Sequence, residues 1–247
     1  MDLFAPPLDC DVVIIPTYNE SHNICALIRK IFITVPEIHI VVVDDSSPDN
    51  TAGVVHNLIP EFPRLSLISR PQKTGLGDAY KEVFSLIGNG KSMRSVITMD
   101  ADSSHDPVYL PYLLQLSQKY DLVIGSRYVA HGKIERWQLW RRWLSALGNR
   151  YARTVLRSKI LDLTSGFVLM KRDVVKAIPW KNLSSSNYAY TLEMKIFCEQ
   201  QLRARWIEIP IIFQERRTGI SKLSLATIVE GLAIPWRILF KRHEASD

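Results

Sequence analysis

The chain has 247 residues, 47% of them hydrophobic and 23% charged, with a formal net charge of +6. This composition is typical of a globular protein and excludes a disordered chain. The three cysteines have no paired spacing, which excludes a disulfide framework and a zinc knuckle and favours a reducing compartment. We recognise no signal peptide and no apolar run of the roughly 20 residues that span a bilayer, so we expect a soluble or peripheral protein.

Short β-branched runs alternate with helical patterns along the first half of the chain, which predicts βαβ units and a mainly parallel sheet. The strand candidates are Val12–Ile15, Ile38–Val43, Leu65–Ser69, Val96–Met99 and Leu122–Gly125. Helical patterns lie near residues 20–33, 51–59, 77–88 and 107–118. In the second half we predict a helix at Ala189–Gln201, a strand at Trp206–Pro210 and a terminal helix from about Leu225.

The segment Lys133–Arg157 contains seven basic residues and one acidic residue, so it carries the whole positive excess. Its tryptophans and leucines recur at three- and four-residue steps, which predicts a helix with an apolar stripe. Such a segment indicates an anionic partner, and Trp137, Trp140 and Trp143 suit the headgroup level of a membrane. The alternative is that the tryptophans belong to the core and the arginines are simply solvated.

Three predicted strands end in acidic or polar residues: the first in PTYNE, the second in DDSSPDNT and the fourth in DADSSHDP. Because ligands collect at the carboxyl ends of parallel strands, we expect these residues to lie at one edge of the sheet. Asp45 could accept hydrogen bonds from a ribose or a base. Asp100 and Asp102 repel each other unless a cation lies between them, which predicts Mg²⁺ or Mn²⁺ bound with a diphosphate. An ordinary solvated turn is the alternative.

The motifs PTYNE, DDSSPDNT, DADSSHDP, GSRYV, DLTSGF and ERRTGISK occur in this order between about residues 12 and 225. With them the chain resembles the family-2 glycosyltransferases of GT-A fold, and most closely the polyprenol (dolichol) phosphate mannosyltransferases. The resemblance implies an α/β fold with a Rossmann-like, mainly parallel sheet flanked by helices, amphipathic acceptor-side helices and no transmembrane segment. It also implies one GT-A domain over residues 1–247, with a catalytic core of about 11–222 and an amphipathic C-terminal helix of about 224–242.

The donor side of the site follows from the resemblance, position by position. It implies a nucleoside pocket lined by Pro16, Tyr18, Glu20, Val43 and Asp45. Asp100 would face the donor sugar or its phosphates, and Ala101 would touch the donor through its backbone. Asp102 would bind the metal, with Ser104 as a further ligand. Some relatives have glutamine at the Ser104 position, so metal coordination in this chain could be looser.

The acceptor side follows in the same way. Arg127 of GSRYV would contact phosphate, and it completes the implied catalytic set with Asp100 and Asp102. Ser145 would be a further substrate-binding position. Two adjacent arginines, Arg141 and Arg142, lie near it, and either could receive the acceptor phosphate. The paired N–H donors of a guanidinium group suit an oxyanion.

The later motifs imply a lid, and the roles of three further residues stay open. Arg216 and Lys222 of ERRTGISK would close over the diphosphate as a flexible lid, whereas Arg217 is off that register. Asp162 and Glu193 could line the acceptor side or orient an arginine, and a capping or salt-bridge role is the alternative. His105 is interpreted as a surface loop histidine, with a metal neighbour as the alternative.

The resulting expectation is a metal-dependent, inverting transfer of mannose from GDP-mannose to polyprenyl phosphate at the cytoplasmic face of a membrane. A membrane-anchoring partner protein could hold the enzyme there. The same transfer from UDP-glucose or another nucleotide sugar is the first alternative. A nucleic-acid-binding protein, suggested by the pI of about 9.2, leaves the acidic strand ends unexplained. A catalytically dead partner subunit is disfavoured because Asp102, Arg127, Arg216 and Lys222 are present.

Overall fold

The computed structural model describes residues 9–73, 75–88, 93–135, 138–183, 189–214 and 225–244. Within them a seven-stranded sheet has the order β3-β2-β1-β4-β7-β5-β8, and β6 pairs with β9 in a small second sheet. The strands are β1 Cys10–Thr17, β2 His39–Asp44, β3 Leu65–Ser69, β4 Met93–Thr98, β5 Leu122–Ser126, β6 Lys133–Glu135, β7 Val168–Lys171, β8 Trp206–Pro210 and β9 Ile212–Gln214. Helices pack on the sheet, so the predicted α/β fold with a mainly parallel sheet is confirmed.

Apart from α6, which was not predicted, the helices lie close to the predicted positions. They are α1 Ile24–Thr34, α2 Thr51–Leu58, α3 Leu76–Gly88, α4 Leu110–Leu116, α5 Leu139–Leu156, α6 Arg172–Ala177, α7 Ala189–Ile196 and α8 Leu225–Glu244. The segment predicted as one helix at 107–118 begins instead with a 3₁₀ turn, Pro107–Tyr109, where Asp106 accepts a hydrogen bond from the Val108 amide. The helix predicted to reach Gln201 ends in a π-turn from Phe197.

The centre of the sheet is apolar because its strands are covered on both faces. All six residues of β2 are buried, and β1 contributes four fully buried residues, Val12–Ile15. Parallel strands buried on both faces have such near-continuous Val and Ile runs. β1 pairs in parallel with both β2 and β4, so these three strands end at the same edge of the sheet.

β7 runs antiparallel between β4 and β5. No sequence signal predicted β7, β6, β9 or α6. Each of these strands has only three or four residues, which is too short for an alternating pattern to stand out.

Helices α5 and α8 pack against each other. The Tyr151 hydroxyl donates a hydrogen bond of 2.9 Å to the Leu232 carbonyl and accepts one of 2.8 Å from the Trp236 indole. In the described part of the chain, no helix combines the length and the apolar character needed to cross a bilayer.

Candidate active site

The turns after β1, β2 and β4, residues 17–20, 44–51 and 99–106, lie side by side and form what we call the acidic edge. Each turn contains a non-glycine residue in the left-handed backbone region: Asn19 (φ 61°), Ser46 (φ 55°) and Ser103 (φ 63°). Residues other than glycine adopt this backbone conformation at a cost in free energy, and residues that do so cluster at functional sites. The predicted convergence of the three strand ends is therefore present.

Hydrogen bonds fix the first two turns of the acidic edge to each other. The Thr17 hydroxyl donates to an Asp44 carboxylate oxygen at 2.9 Å, and the Glu20 amide donates to the Thr51 hydroxyl at 3.0 Å. The other Asp44 oxygen accepts from the Ser47 amide at 2.9 Å. Asp44 thus holds the first two turns of the acidic edge together.

The predicted nucleoside residues lie together at this edge. Pro16 and Val43 are register partners in neighbouring strands. Asp45 is 5% exposed and forms an ion pair with Arg70, which follows β3. Arg70 also binds Glu82 of α3 at 2.8 Å, and the Lys73 ammonium lies 3.4 Å from the centre of the Tyr18 ring. Arg70 and Lys73 were missed from the sequence, although Arg70 occupies the same strand-end position as the residues that were found.

His105 is a buried member of the site, and its interpretation as a surface histidine was wrong. It is 2% exposed, stacks on Phe167 with ring centres 5.0 Å apart and meets Phe213 edge-on. Its Nδ1 accepts a hydrogen bond of 3.1 Å from the Asp100 amide, so the ring proton of the neutral form is on Nε2. Burial lowers the pKa of His105, against the attraction of Asp100. A neutral histidine therefore fixes the backbone of Asp100.

Asp102 and Ser104 provide oxygen atoms suited to a small divalent cation. Both residues are buried, and an Asp102 oxygen accepts from the Ser104 amide at 3.0 Å. The Ser104 hydroxyl oxygen is buried without a hydrogen-bond partner among the described residues, which leaves it available as a ligand. The same residues contain no group of three or more Asp, Glu, His or Cys side chains that could hold a metal alone. The residues present thus fit a cation that takes its other ligands from substrate phosphates and water.

Arg127 is held in a buried cradle. Its Nε and Nη2 donate to the two oxygens of Asp162, each at 2.8 Å, and Nη2 also donates to the Thr164 hydroxyl at 2.6 Å. Burial would raise the pKa of Asp162, but Arg127 lowers it to about 2. The pKa of Arg127 is raised despite burial, because Asp162 faces it. Asp162 thus forms a buried salt bridge with Arg127 and orients its guanidinium, so the contact is compatible with both roles considered for Asp162.

Three further residues hold the loop that carries Asp162. Lys195 of α7 is fully buried and donates to the carbonyls of Asp162 and Ser165, each at 2.8 Å. Glu208 of β8 accepts from the Asp162 amide at 2.8 Å, and Asn149 of α5 accepts from the Leu163 amide at 3.0 Å. With Asp162 and Thr164, these residues form what we call the Arg127 cradle.

The Asp162–Phe167 loop connects the Arg127 cradle to the acidic edge. The Thr98 hydroxyl donates to the Gly166 carbonyl at 2.5 Å. A Cβ atom at Gly166 would lie 3.5 Å from an Asp100 carboxylate oxygen, so the loop backbone passes directly beside that carboxylate. One loop thus contacts Arg127 at its start and Asp100 at its end.

The predicted acceptor residues lie on α5. The Ser145 hydroxyl hydrogen-bonds the Tyr128 hydroxyl at 2.8 Å, next to Arg127. Arg141 is partly buried and lies one helical turn before Ser145, whereas Arg142 is exposed. Arg142 also lies one helical turn before Ser145, so the two arginines differ here in burial alone.

The remaining predicted residues lie around this site or outside the described chain. Glu193 is buried on α7, and Ala101 is buried in the turn after β4. Arg216, Lys222 and Trp137 fall outside the described residues. The last residue before the segment of Arg216, Gln214, donates its amide to the Ser104 carbonyl at 3.4 Å.

Comparison with known proteins identifies the family. The sequence pattern described as "Glycosyl transferase family 2" matches residues 12–178, more than half of the chain. The chain belongs to this family. It is 36% identical to the undecaprenyl-phosphate mannosyltransferase of Micrococcus luteus over 94% of this chain and 98% of that protein. It is also 36% identical to the polyprenol monophosphomannose synthase of Mycolicibacterium smegmatis, over 92% of this chain and 85% of that protein.

Solved structures share the family 2 fold at lower sequence identity. Glucosyl-3-phosphoglycerate synthase from Mycobacterium tuberculosis, in complex with Mn²⁺, UDP and glucosyl-3-phosphoglycerate, is 18% identical with a TM-score of 0.66, over 95% of this chain and 80% of that chain. Its complex with Mn²⁺, UDP-glucose and phosphoglyceric acid gives a TM-score of 0.69 over 95% and 79%. Together with the curated relatives, the family match confirms that this protein is a glycosyltransferase resembling the polyprenol phosphate mannosyltransferases.

Proposed function

We propose that this family 2 enzyme transfers mannose from GDP-mannose to polyprenyl phosphate, giving polyprenyl β-mannosyl phosphate and GDP. The general reaction is supported by the two relatives that are 36% identical over more than nine-tenths of the chain. The observation that carries the proposal is the Asp162–Phe167 loop, which contacts both Arg127 and the Asp100 side of the acidic edge. A donor diphosphate and an acceptor phosphate need such neighbouring sites.

The nucleoside would bind at the start of the acidic edge. Pro16, Glu20 and Val43 surround the position, Tyr18 offers a ring for stacking, and Asp45 offers carboxylate oxygens to a ribose or base. Arg70 already forms an ion pair with Asp45, so a bound nucleoside would share the Asp45 carboxylate with Arg70.

Asp102 and Ser104 would hold Mg²⁺ or Mn²⁺. When bound, the cation offsets the negative charge that develops on the leaving diphosphate. Asp100, fixed through His105, would face the donor beside it, with the Ala101 backbone in contact. Arg216 and Lys222 are proposed to close over the same diphosphate.

The acceptor phosphate would bind between Arg127 and Arg141, close to Ser145; Arg142 is the second candidate. Asp162 and Thr164 engage Nε and Nη2 of Arg127, and no described residue hydrogen-bonds its Nη1. A phosphate monoester has a second pKa near 6 and is largely a dianion at neutral pH. It needs positioning rather than a general base, and direct attack on the anomeric carbon inverts its configuration.

A membrane surface would supply the lipid acceptor, and the exposed residues of α5 and α8 support this. Trp140 and Trp143 of α5 are 56% and 68% exposed, and Trp236 and Phe240 of α8 are exposed as well. Such large exposed apolar groups mark an interaction surface, and tryptophan favours the headgroup level. We place the enzyme at the cytoplasmic face, where free thiols such as those of Cys10, Cys25 and Cys198 persist. We keep the single GT-A domain over residues 1–247 and a membrane-anchoring partner as parts of this proposal.

A transfer assay into polyprenyl phosphate tests the proposal, with radiolabelled GDP-mannose and UDP-glucose compared side by side. We expect mannose transfer that stops with EDTA and returns with Mg²⁺ or Mn²⁺, and a β-linked product by NMR. Transfer from UDP-glucose alone would mean that the donor is UDP-glucose and that the reaction is still sugar transfer to polyprenyl phosphate. No transfer from either donor, or a retained anomeric configuration, would overturn the proposal.

A further inference from the structure

A groove of about 420 Å³ lies between α5 and the chain that leads to Asp162. It adjoins the proposed acceptor site through Tyr128, which bonds Ser145, but its Arg150 and Arg153 belong to neither the proposed donor nor the proposed acceptor site. Its lining residues are Tyr128, Ala146, Asn149, Arg150, Arg153, Thr154, Ser158 and Leu161.

The neutral polar groups of the groove already have partners within the protein. The Tyr128 hydroxyl bonds Ser145, and the Asn149 amide bonds the backbone of the Asp162 loop. The Thr154 hydroxyl donates to the Arg150 carbonyl at 2.9 Å, and the Ser158 hydroxyl donates to Glu199. The groove therefore offers a ligand few neutral hydrogen-bonding groups.

The two arginines differ from the rest of the lining. Neither Arg150 nor Arg153 has a carboxylate within 4.0 Å among the described residues. The Nε of Arg153 is buried and has no acceptor in the same part of the chain. A buried N–H without an acceptor is costly, and two guanidinium groups one helical turn apart repel each other. Both costs disappear if an oxyanion binds between them.

We propose that this arginine groove, defined by Arg150 and Arg153, binds the phosphate of an anionic phospholipid headgroup. Arg150 lies two helical turns after Trp143, on nearly the same face of α5. A bilayer that contacts the exposed Trp143 and Leu147 would therefore bring headgroups to Arg150. Guanidinium groups bind phosphate oxygens through paired N–H donors. The proposal shares the membrane surface with the proposed function but needs neither the donor nor the transfer reaction.

The test measures vesicle binding by co-sedimentation, without activity. Phosphatidylcholine vesicles are compared with vesicles of about three parts phosphatidylcholine to one part phosphatidylglycerol, an anionic lipid that attracts basic residues. We expect the wild-type protein to prefer the anionic vesicles and the variant Arg150→Gln with Arg153→Gln to lose roughly tenfold or more in affinity for them. Its binding to phosphatidylcholine alone should not change.

Lys176→Gln with Lys181→Gln is the matched control, because it removes the same charge from exposed positions away from the groove. It should lose less than about threefold. Arg150→Gln alone removes an exposed side chain and tests the site if the double variant does not fold. Equal losses of affinity in the variant and the control would overturn the proposal.

A second experiment titrates inorganic phosphate by calorimetry at constant ionic strength. Loss of phosphate binding in the double variant with unchanged vesicle preference would overturn the lipid source and assign the groove to soluble phosphate.

Discussion

The acidic edge consists of turns that follow parallel strands, whereas the Arg127 cradle consists of one loop held by charged and polar side chains from distant elements. In the acidic edge, Asp102 lies in the turn that follows the strand β4 and is placed by the backbone that carries it. In the Arg127 cradle, Arg127 is placed by Asp162, which depends in turn on Lys195 and Glu208. The same site thus contains one part built by topology and another built by a polar network.

This difference determines what a mutation does. Asparagine in place of Asp102 keeps the size of the side chain, so this substitution should affect activity more than stability. A member of a buried charge network leaves an unpaired charge behind when it is removed, so its loss should affect folding as well.

The largest effect on activity is expected from Asp102→Asn. The variant weakens metal binding without removing a packing contact, so transfer should fall by roughly 10²–10³-fold or more, while the melting temperature stays close to that of the wild type. The radiolabelled transfer assay and thermal unfolding measure the two properties. Asp173→Asn, an exposed carboxylate in the first turn of α6, is the control and should retain activity. An active Asp102→Asn enzyme would contradict the metal assignment.

Asp162→Asn should lower both activity and stability. It leaves the Arg127 guanidinium buried without its partner, which costs about 3–5 kcal/mol in the free energy of unfolding. The structure provides a matched control in Asp121, which binds Arg205 through two bonds of 2.9 and 3.0 Å at the surface. Because Arg205 is exposed, Asp121→Asn should cost only about 0–1 kcal/mol. Urea unfolding measures both, and similar losses would show that burial does not distinguish the two pairs.

The acidic edge could be predicted from the sequence because its signals are local. Each strand is a short apolar run, and each is followed directly by the acidic residues that matter, as in Met99 followed by Asp100 and Asp102. Parallel pairing then brings the strand ends together without further information. Arg70 was missed only because no acidic motif accompanied it.

The Arg127 cradle could not be predicted in the same way. Asn149, Lys195 and Glu208 are far apart in the chain, and no local pattern marks any of them as a partner of the Asp162 loop. The burial of His105 could not be predicted either. The polar residues around it in the sequence are typical of a surface loop, but Phe167 and Phe213, which are distant in sequence, cover its ring. Buried polar contacts between distant elements depend on tertiary packing, which one sequence does not display.

Lys195 allows the cradle to be tested by pH. Burial lowers its pKa to about 7, against the attraction of Asp162, whereas in the unfolded chain it is near 10.4. Between these values the unfolded chain binds a proton that the folded chain does not, so stability rises with pH, by up to about 1.4 kcal/mol per pH unit. The difference in free energy of unfolding between wild type and Lys195→Met should therefore grow from pH 7 to 9.

The charged and titratable groups around Lys195 are Asp162, Arg127, Glu208 and Cys198. They do not obscure the change of stability with pH that Lys195 causes. Burial raises the pKa of Cys198 to about 12, so its contribution opposes that of Lys195 above about pH 8.5, but it is largely common to both proteins and cancels in the difference. Lys176→Met, at an exposed position of α6, should show a constant difference. A constant difference for Lys195→Met as well would mean that the buried amine keeps its ordinary pKa.

The smallest effect should separate the membrane surface from both parts of the site. Trp140→Ala with Trp143→Ala removes two side chains that are 56% and 68% exposed, so folding and donor binding should be unchanged. Binding to phosphatidylcholine vesicles should weaken several-fold, because the headgroup region loses two tryptophans. Tyr112→Ala, at a 62% exposed aromatic position on α4, is the matched control. Unchanged vesicle binding would assign the α5 tryptophans no role at a bilayer, and the lipid acceptor would then reach Arg127 by another route.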